Sequence, residues 1–152
     1  MLKKIIGLAI CTVALQGPAF AQDLDQAVAD RQAIMKTYGK NLGILGKMAS
    51  GSVDYDAAAV QAAAQAFMDA ATSDQTLVWL EGSEQGAVDG SRAKISIWEQ
   101  SDDFYAIVAS LADASVALNN VAGQGADALG GAIGPAGQTC KTCHSDYRGP
   151  KN

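Results

Sequence analysis

The segment Cys140-Lys141-Thr142-Cys143-His144 constrains this chain more than any other stretch of it. It reads C-x-x-C-H: two thiols one helical turn apart, with an imidazole directly after the second. Thiols at that spacing can add to the two vinyl groups of a porphyrin and form thioethers, and the adjacent histidine is then placed to coordinate the iron from one side. His144 is the sole histidine of the 152 residues, so no other imidazole competes for that role. Two other uses of the string fit less well. A thioredoxin-like pair needs a preceding strand in a βαβ setting, whereas the flanks here are rich in Gly and Ala and hold no β-branched run. A structural zinc site takes four N or S ligands, and two thiolates with one imidazole fall short. The string points to one covalently attached c-type haem, bound through Cys140 and Cys143.

The N-terminus reads as a secretory signal. Lys3 and Lys4 form a basic region, Ile5 to Leu15 an apolar run, and Ala19-Phe20-Ala21 a small-x-small cleavage site. The run is short for a membrane span. Ile10 precedes Cys11, where lipid attachment would want a small residue. The expected division is a cleavable signal at 1–21 and one domain at 22–152, which leaves 131 residues, enough for a single core. Cleavage also reduces three cysteines to two, both in the haem motif, so export to an oxidising compartment exposes no spare thiol. Losing two lysines and no acid takes the formal charge from −5 to −7. That balance argues against nucleic acid. It suits partners with basic surfaces, or serves solubility alone.

From Asp23 to Met48, Leu24, Val28, Arg31, Met35, Tyr38, Leu42 and Leu45 recur in steps of four and three, a stripe suited to a helix packed nearly parallel to its neighbours. Gly51-Ser52 breaks it, and Asp54 or Asp56 is placed to cap a second helix carrying Ala57, Val60, Ala64, Phe67 and Ala71. Ser73 to Glu99 has three glycines and a Leu77-Val78-Trp79-Leu80 cluster. It reads as a long crossover, pinned by Trp79 and Trp98, between two helices that point the same way. Ser101, with Asp102 and Asp103 behind it, is a helix start led by a capping hydroxyl. Phe104, Val108, Leu111, Ser115, Leu118 and Ala122 follow until Gly123 and Gly125. The last stripe is Leu129, Ile133, Ala136, Cys140, Cys143 and Tyr147, where small residues would let a flat macrocycle approach and Pro135 would kink the helix. Four helices and no strand pattern predict an all-α four-helix bundle.

These residues resemble the class II c-type cytochromes, the group that includes cytochrome c-prime, whose C-x-x-C-H lies near the C-terminus on the last helix. Arg31-Gln32 in the first helix, the loop from Gly82 to Ile97-Trp98, Pro135 five residues before Cys140, and Cys140 to Arg148 as C-K-T-C-H-S-D-Y-R carry the resemblance. It covers essentially all of the mature chain. It implies an antiparallel left-handed bundle with haem between its helices and His144 as proximal ligand. It also implies periplasmic electron transfer, with one electron carried at a time between redox proteins and no substrate bond broken. Members often pair through their first two helices, so a homodimer is an expectation, as is a chain free of the membrane after signal cleavage.

High-spin members present an apolar side chain opposite the histidine and leave the iron five-coordinate; low-spin members present a methionine. The matching position, four residues after Arg31, is Met35. Periodicity alone would read Met35 as gap-filling core. The resemblance makes it the sixth ligand, with Met48 and Met68 outside the distal slot. A five-coordinate or labile-Met protein that captures NO or CO is the alternative. The resemblance also gives Arg31 a haem propionate as partner and places Arg148 near the proximal ligand. On residues alone, Arg31 could instead extend past the core edge, and Arg148 could be a solvated cation favoured by the helix C-terminus.

Overall fold

The helical stripes are realised as four long helices and one short turn. The structure, a computed structural model, describes residues 17–151, so Lys3, Lys4, the apolar run and Cys11 lie outside the described residues. Helix α1 is Gly17–Ala49, α2 Ala57–Thr72, α3 the single turn Ser96–Glu99, α4 Ser101–Val121 and α5 Ala126–Tyr147. α1 starts earlier than the stripe from Asp23 indicates, and its helical backbone runs through the expected cleavage site. Asp56 caps α2: one carboxylate oxygen accepts from the backbone N–H of Ala58 and Ala59 at 2.9 and 3.0 Å. The expected hydroxyl cap on α4 is a correction. Ser101 is already the first helical residue, the residue before it is Gln100, and no side chain caps this end. Asp102 and Asp103 do occupy the first turn, where acids suit the helix dipole. α5 continues through Pro135.

Consecutive long helices are neighbours around a ring, α1 on α2, α2 on α4, α4 on α5 and α5 on α1. Tyr55 closes the α4–α5 turn from outside, donating to Ala122 O at 2.6 Å and accepting from Gly125 N at 3.1 Å. Gly125 has φ +108°, which a side chain would oppose. The reading of 73–99 as a link between helices of the same direction is also corrected. Asn119 exchanges amide hydrogen bonds with Gln61 and Gln65, so the end of α4 lies beside the start of α2 and the two run antiparallel. The connection leaves and re-enters at one end of the bundle, and its length builds a wall there rather than spanning the bundle.

The bundle core gathers Tyr38, Leu45, Val60, Ala63, Ala64, Phe67, Leu118 and Leu129. Its largest members, such as Phe67, Leu45 and Leu118, are fully buried, each worth roughly 1.5–3 kcal/mol relative to exposure. A second cluster sits beneath the connection. Phe104 is at its centre, edge-on to Trp79 at 4.8 Å and to Tyr147 at 5.3 Å, with Ala93 and Ile97 around it. α4 is apolar enough by composition to cross a bilayer. Its Phe104, Ser115 and Leu118 are buried in the bundle.

Candidate haem site

Between the two clusters the stripes fail to close. Met35 and Leu42 on α1, Ile107, Val108 and Leu111 on α4, and Cys140 and Cys143 on α5 lie on core-facing stripes yet stay only half-buried. All of them line one cavity of about 560 Å³, within the roughly 300–1,000 Å³ of ordinary ligand sites. Arg31, His144 and Arg148 line it as well, so the structure brings all six sequence-selected site residues onto one cavity wall. Trp79 and Ser91 to Ala93 of the connection complete the wall.

The donor set limits what the cavity can hold. Cys140 and Cys143 are free and half-buried. Burial raises both thiols, that of Cys143 to about 11 with help from the charges of Cys140 and Asp146, so neither is the ready thiolate that disulfide exchange requires. Among the described residues no three His, Cys, Asp or Glu side chains converge on a metal position. A metal here must arrive with ligands of its own, as porphyrin iron does. The neighbouring elements favour a neutral imidazole on His144: partial burial, then the cations of Arg148 and Arg92, lower its pKa. A neutral ring keeps a lone pair for iron. Arg31, Lys36, Arg92 and Arg148 line the cavity, and no Asp or Glu does, which suits the two propionates of a haem. The apolar walls, the paired thiols, the single imidazole and the cations fit haem c.

Arg31 is 5% exposed. Its Nη1 donates to Val78 O and Ser83 Oγ, both at 3.1 Å, and its Nη2 to Ser83 O and Ser91 Oγ, both at 3.0 Å. The guanidinium also lies 4.8 Å over the Trp79 ring. Burial lowers its pKa to about 10, so it stays a cation at neutral pH. Its protein partners are neutral oxygens rather than a carboxylate.

Sequence reasoning passed over Arg92 and Lys94. Arg92 donates to Gly149 O through Nε at 3.0 Å and Nη2 at 2.7 Å. Lys94 Nζ donates to Ser145 O and Asp146 O, both at 3.0 Å, covering carbonyls that the end of α5 leaves open. The backbone adds Lys94 N to Tyr147 O at 3.0 Å and Gly149 N to Arg92 O at 2.7 Å, around an antiparallel bridge between Ala93 and Arg148. The Arg148 side chain is solvent-exposed at the rim.

An antiparallel ring of four helices with a thioether-forming cysteine pair and one imidazole on the last defines a class II c-type cytochrome. The family described as Cytochrome C' matches residues 26–148, and the chain belongs to that family. Cytochrome c' of Cereibacter sphaeroides is 35% identical over 141 residues, covering 93% of this chain and 95% of that protein. Cytochrome c-556 of Agrobacterium fabrum is 36% identical over 124 residues, 80% of each. Among solved structures, cytochrome c' from Rhodobacter Spheriodes superposes with a TM-score of 0.80 at 33% identity over 84% of this chain and 98% of its own. A nitric oxide complex of a mutant cytochrome c prime from Alcaligenes xylosoxidans gives 0.74 at 27% identity over 84% and 97%. This protein carries covalently bound haem c.

Proposed function

We propose that this chain is an exported, periplasmic carrier of single electrons, whose haem iron His144 and Met35 would ligate. Relatives bear the names cytochrome c' and cytochrome c-556, so the iron's sixth position has to be read from this chain's own residue. The observation that carries the reading is that Met35 lines the same cavity as Cys140, Cys143 and His144. Bound haem supplies a one-electron couple at iron. Cys140 and Cys143 hold the group covalently, and His144 offers a neutral ring nitrogen. Met35 presents a thioether, a ligand that raises the potential, where a Leu or Phe would leave a coordination site open. The apolar side chains of α1 and α4 exclude water from that face. No substrate bond is made or broken, so the chain is not an enzyme. Cleavage after Ala21 and pairing through α1 and α2 belong to the same proposal, read out by the mass of the exported chain and by sedimentation.

The second reading is capture of NO or CO at an open sixth position, and the nitric oxide complex of the relative favours it. Optical spectra of both oxidation states, with and without CO, separate the two. The carrier reading expects a low-spin spectrum that CO leaves almost unchanged. A high-spin protein that takes up CO at once replaces it with the second reading.

A further inference from the structure

The segment Gly90-Ser91-Arg92 contacts both α1 and the chain just beyond α5 within three residues. On the α1 side, Gln32 Nε2 donates to Gly90 O at 3.1 Å, and Arg31 Nη2 donates to Ser91 Oγ at 3.0 Å. Ser91 is 2% exposed, and its hydroxyl passes the contact on to Ser83 O at 2.6 Å. On the other side, the next residue grips the chain just beyond α5, Arg92 donating to Gly149 O at 2.7 and 3.0 Å while Arg92 O accepts from Gly149 N at 2.7 Å. All three residues line the cavity.

Arg31 shows how completely one side is committed. A guanidinium has five N–H groups. The four on Nη1 and Nη2 have four acceptors, all of them in the connection: Val78 O, Ser83 Oγ, Ser83 O and Ser91 Oγ. Only Nε–H is left for a propionate, the partner the family resemblance implies. A connecting segment is by default the mobile part of a domain, and this one has been given a buried cation of α1 and a side-chain clamp on the residue two past the end of α5. Ligand bonds to a metal tolerate only about ±0.2 Å, so two ligands on different helices need those helices held apart at a set distance.

We propose that Gly90-Ser91-Arg92 is a strut that holds α1 through Arg31 and Gln32 and α5 through Gly149, and so sets the separation of Met35 from His144. Arg31 is then a positioning residue. The inference rests on the Met35/His144 reading for its effect at iron, but not for the mechanical link.

Amide exchange and optical spectra of the haem-loaded protein test it, with Ser91→Ala, Arg92→Met and Arg31→Lys. Ser91→Ala removes the hydroxyl's bonds with Arg31, Ser83 O and the Ala93 N–H, yet exchange at Gly149, which none of these touches, is expected to rise about tenfold, the scale of one lost net hydrogen bond. Arg92→Met is expected to do the same at the Ser91 amide, which donates to Val88 O. Each variant is expected to raise the high-spin fraction and speed CO uptake, and the double variant to be no worse than the worse single. Ser91→Thr, which keeps the hydroxyl, is expected to restore both readouts. Exchange that rises only on the mutated side, with a wild-type spectrum, overturns the strut. So does an Arg31→Lys variant with unchanged exchange and an altered pH profile of the reduction potential, since Arg31 would then serve a propionate. If wild type is itself high-spin, the Met35 ligation has failed, and the exchange coupling alone decides the strut.

Discussion

Tyr38 on α1 and Gln75 in the connection form the hydrogen-bonded seam that closes one side of the haem cavity. Gln75 Nε2 donates to the phenol oxygen at 2.9 Å, and the phenol donates to Ala70 O at 3.2 Å. The ring meets Phe67 edge-on at 5.3 Å and is only 4% exposed. Burial pushes the Tyr38 phenol up to about 12 against this Gln75 bond, which lowers it.

The sign of the pH dependence follows. An unfolded tyrosine titrates near 10 and the folded one near 12, so between those values the unfolded chain releases its proton first. Tyr38 therefore contributes nothing to pH dependence below about pH 10, and stability falls as pH rises from about 10 to 12, by on the order of 2 kcal/mol. Denaturant titrations of the haem-loaded protein from pH 7 to 12 check it. Tyr38→Phe is expected to cost about 1 kcal/mol at pH 7, through the lost Gln75–phenol and phenol–Ala70 O hydrogen bonds, and to flatten the alkaline fall. An equally steep fall in the variant removes Tyr38 as its source.

Attachment is tested without any spectrum. Two thioethers survive unfolding, so denatured mature protein is expected to retain haem mass. Cys140→Ser or Cys143→Ser is expected to weaken attachment, and the double variant to abolish it. Mass spectrometry of an unmodified polypeptide from cells competent in haem ligation would refute the site.

What sequence could show here depended on how local the physics is. Thioether chemistry needs its two thiols and imidazole within five residues, so Cys140, Cys143 and His144 stand out in one string. The packing of α1 repeats every three or four residues, which makes Val28, Tyr38 and Leu45 legible as core. That same stripe could not tell Met35 and Leu42 from core, because an apolar cavity wall has the periodicity of a packed face. The partners of Arg31 lie 47 to 60 residues away and three of the four bonds end on a carbonyl or on Ser83, a residue in an aperiodic stretch. Arg92 and Lys94 likewise act on backbone carbonyls of α5 and beyond, which any sequence would offer. The direction of α4 relative to α2 escapes the sequence for a related reason: loop length reads as distance to travel, while the connection spends its residues walling the cavity.

Local charge reverses the expectation drawn from net charge. The chain is acidic overall, at −5 over the full sequence. The cavity is lined by Arg31, Lys36, Arg92 and Arg148 with no carboxylate. Two propionates offset two of the four cations and leave the wall positive. Electron exchange with a small anionic reagent such as hexacyanoferrate is expected to slow as salt rises towards 0.1 M, where screening sets in within about 10 Å. Exchange with a cationic hexaammine complex is expected not to slow. Lys36→Glu with Arg148→Glu, both at exposed positions, is expected to reverse the order. A fall in rate for the cation alone restores the net-charge picture.

Met35 decides between carrier and gas binder, and its surroundings make the substitution clean. It lies one turn after Arg31 on α1, half-buried against the bundle core and open to the cavity. Met35→Leu keeps volume and apolarity, a swap that usually costs less than about 1.5 kcal/mol, so the bundle is expected to survive. No hydrogen bond is lost with the thioether, so any spectral change reports on iron ligation. The expected outcome is a low-spin wild type that resists CO in both oxidation states, beside a high-spin variant that binds CO readily. The variant's reduction potential is expected to fall, since methionine ligation raises it. Met48→Leu on the same helix controls for the loss of any thioether, and its spectrum is expected to match wild type. If Met35→Leu also matches wild type, residue 35 only fills the cavity wall, and the sixth position has to be sought elsewhere or left open to gas.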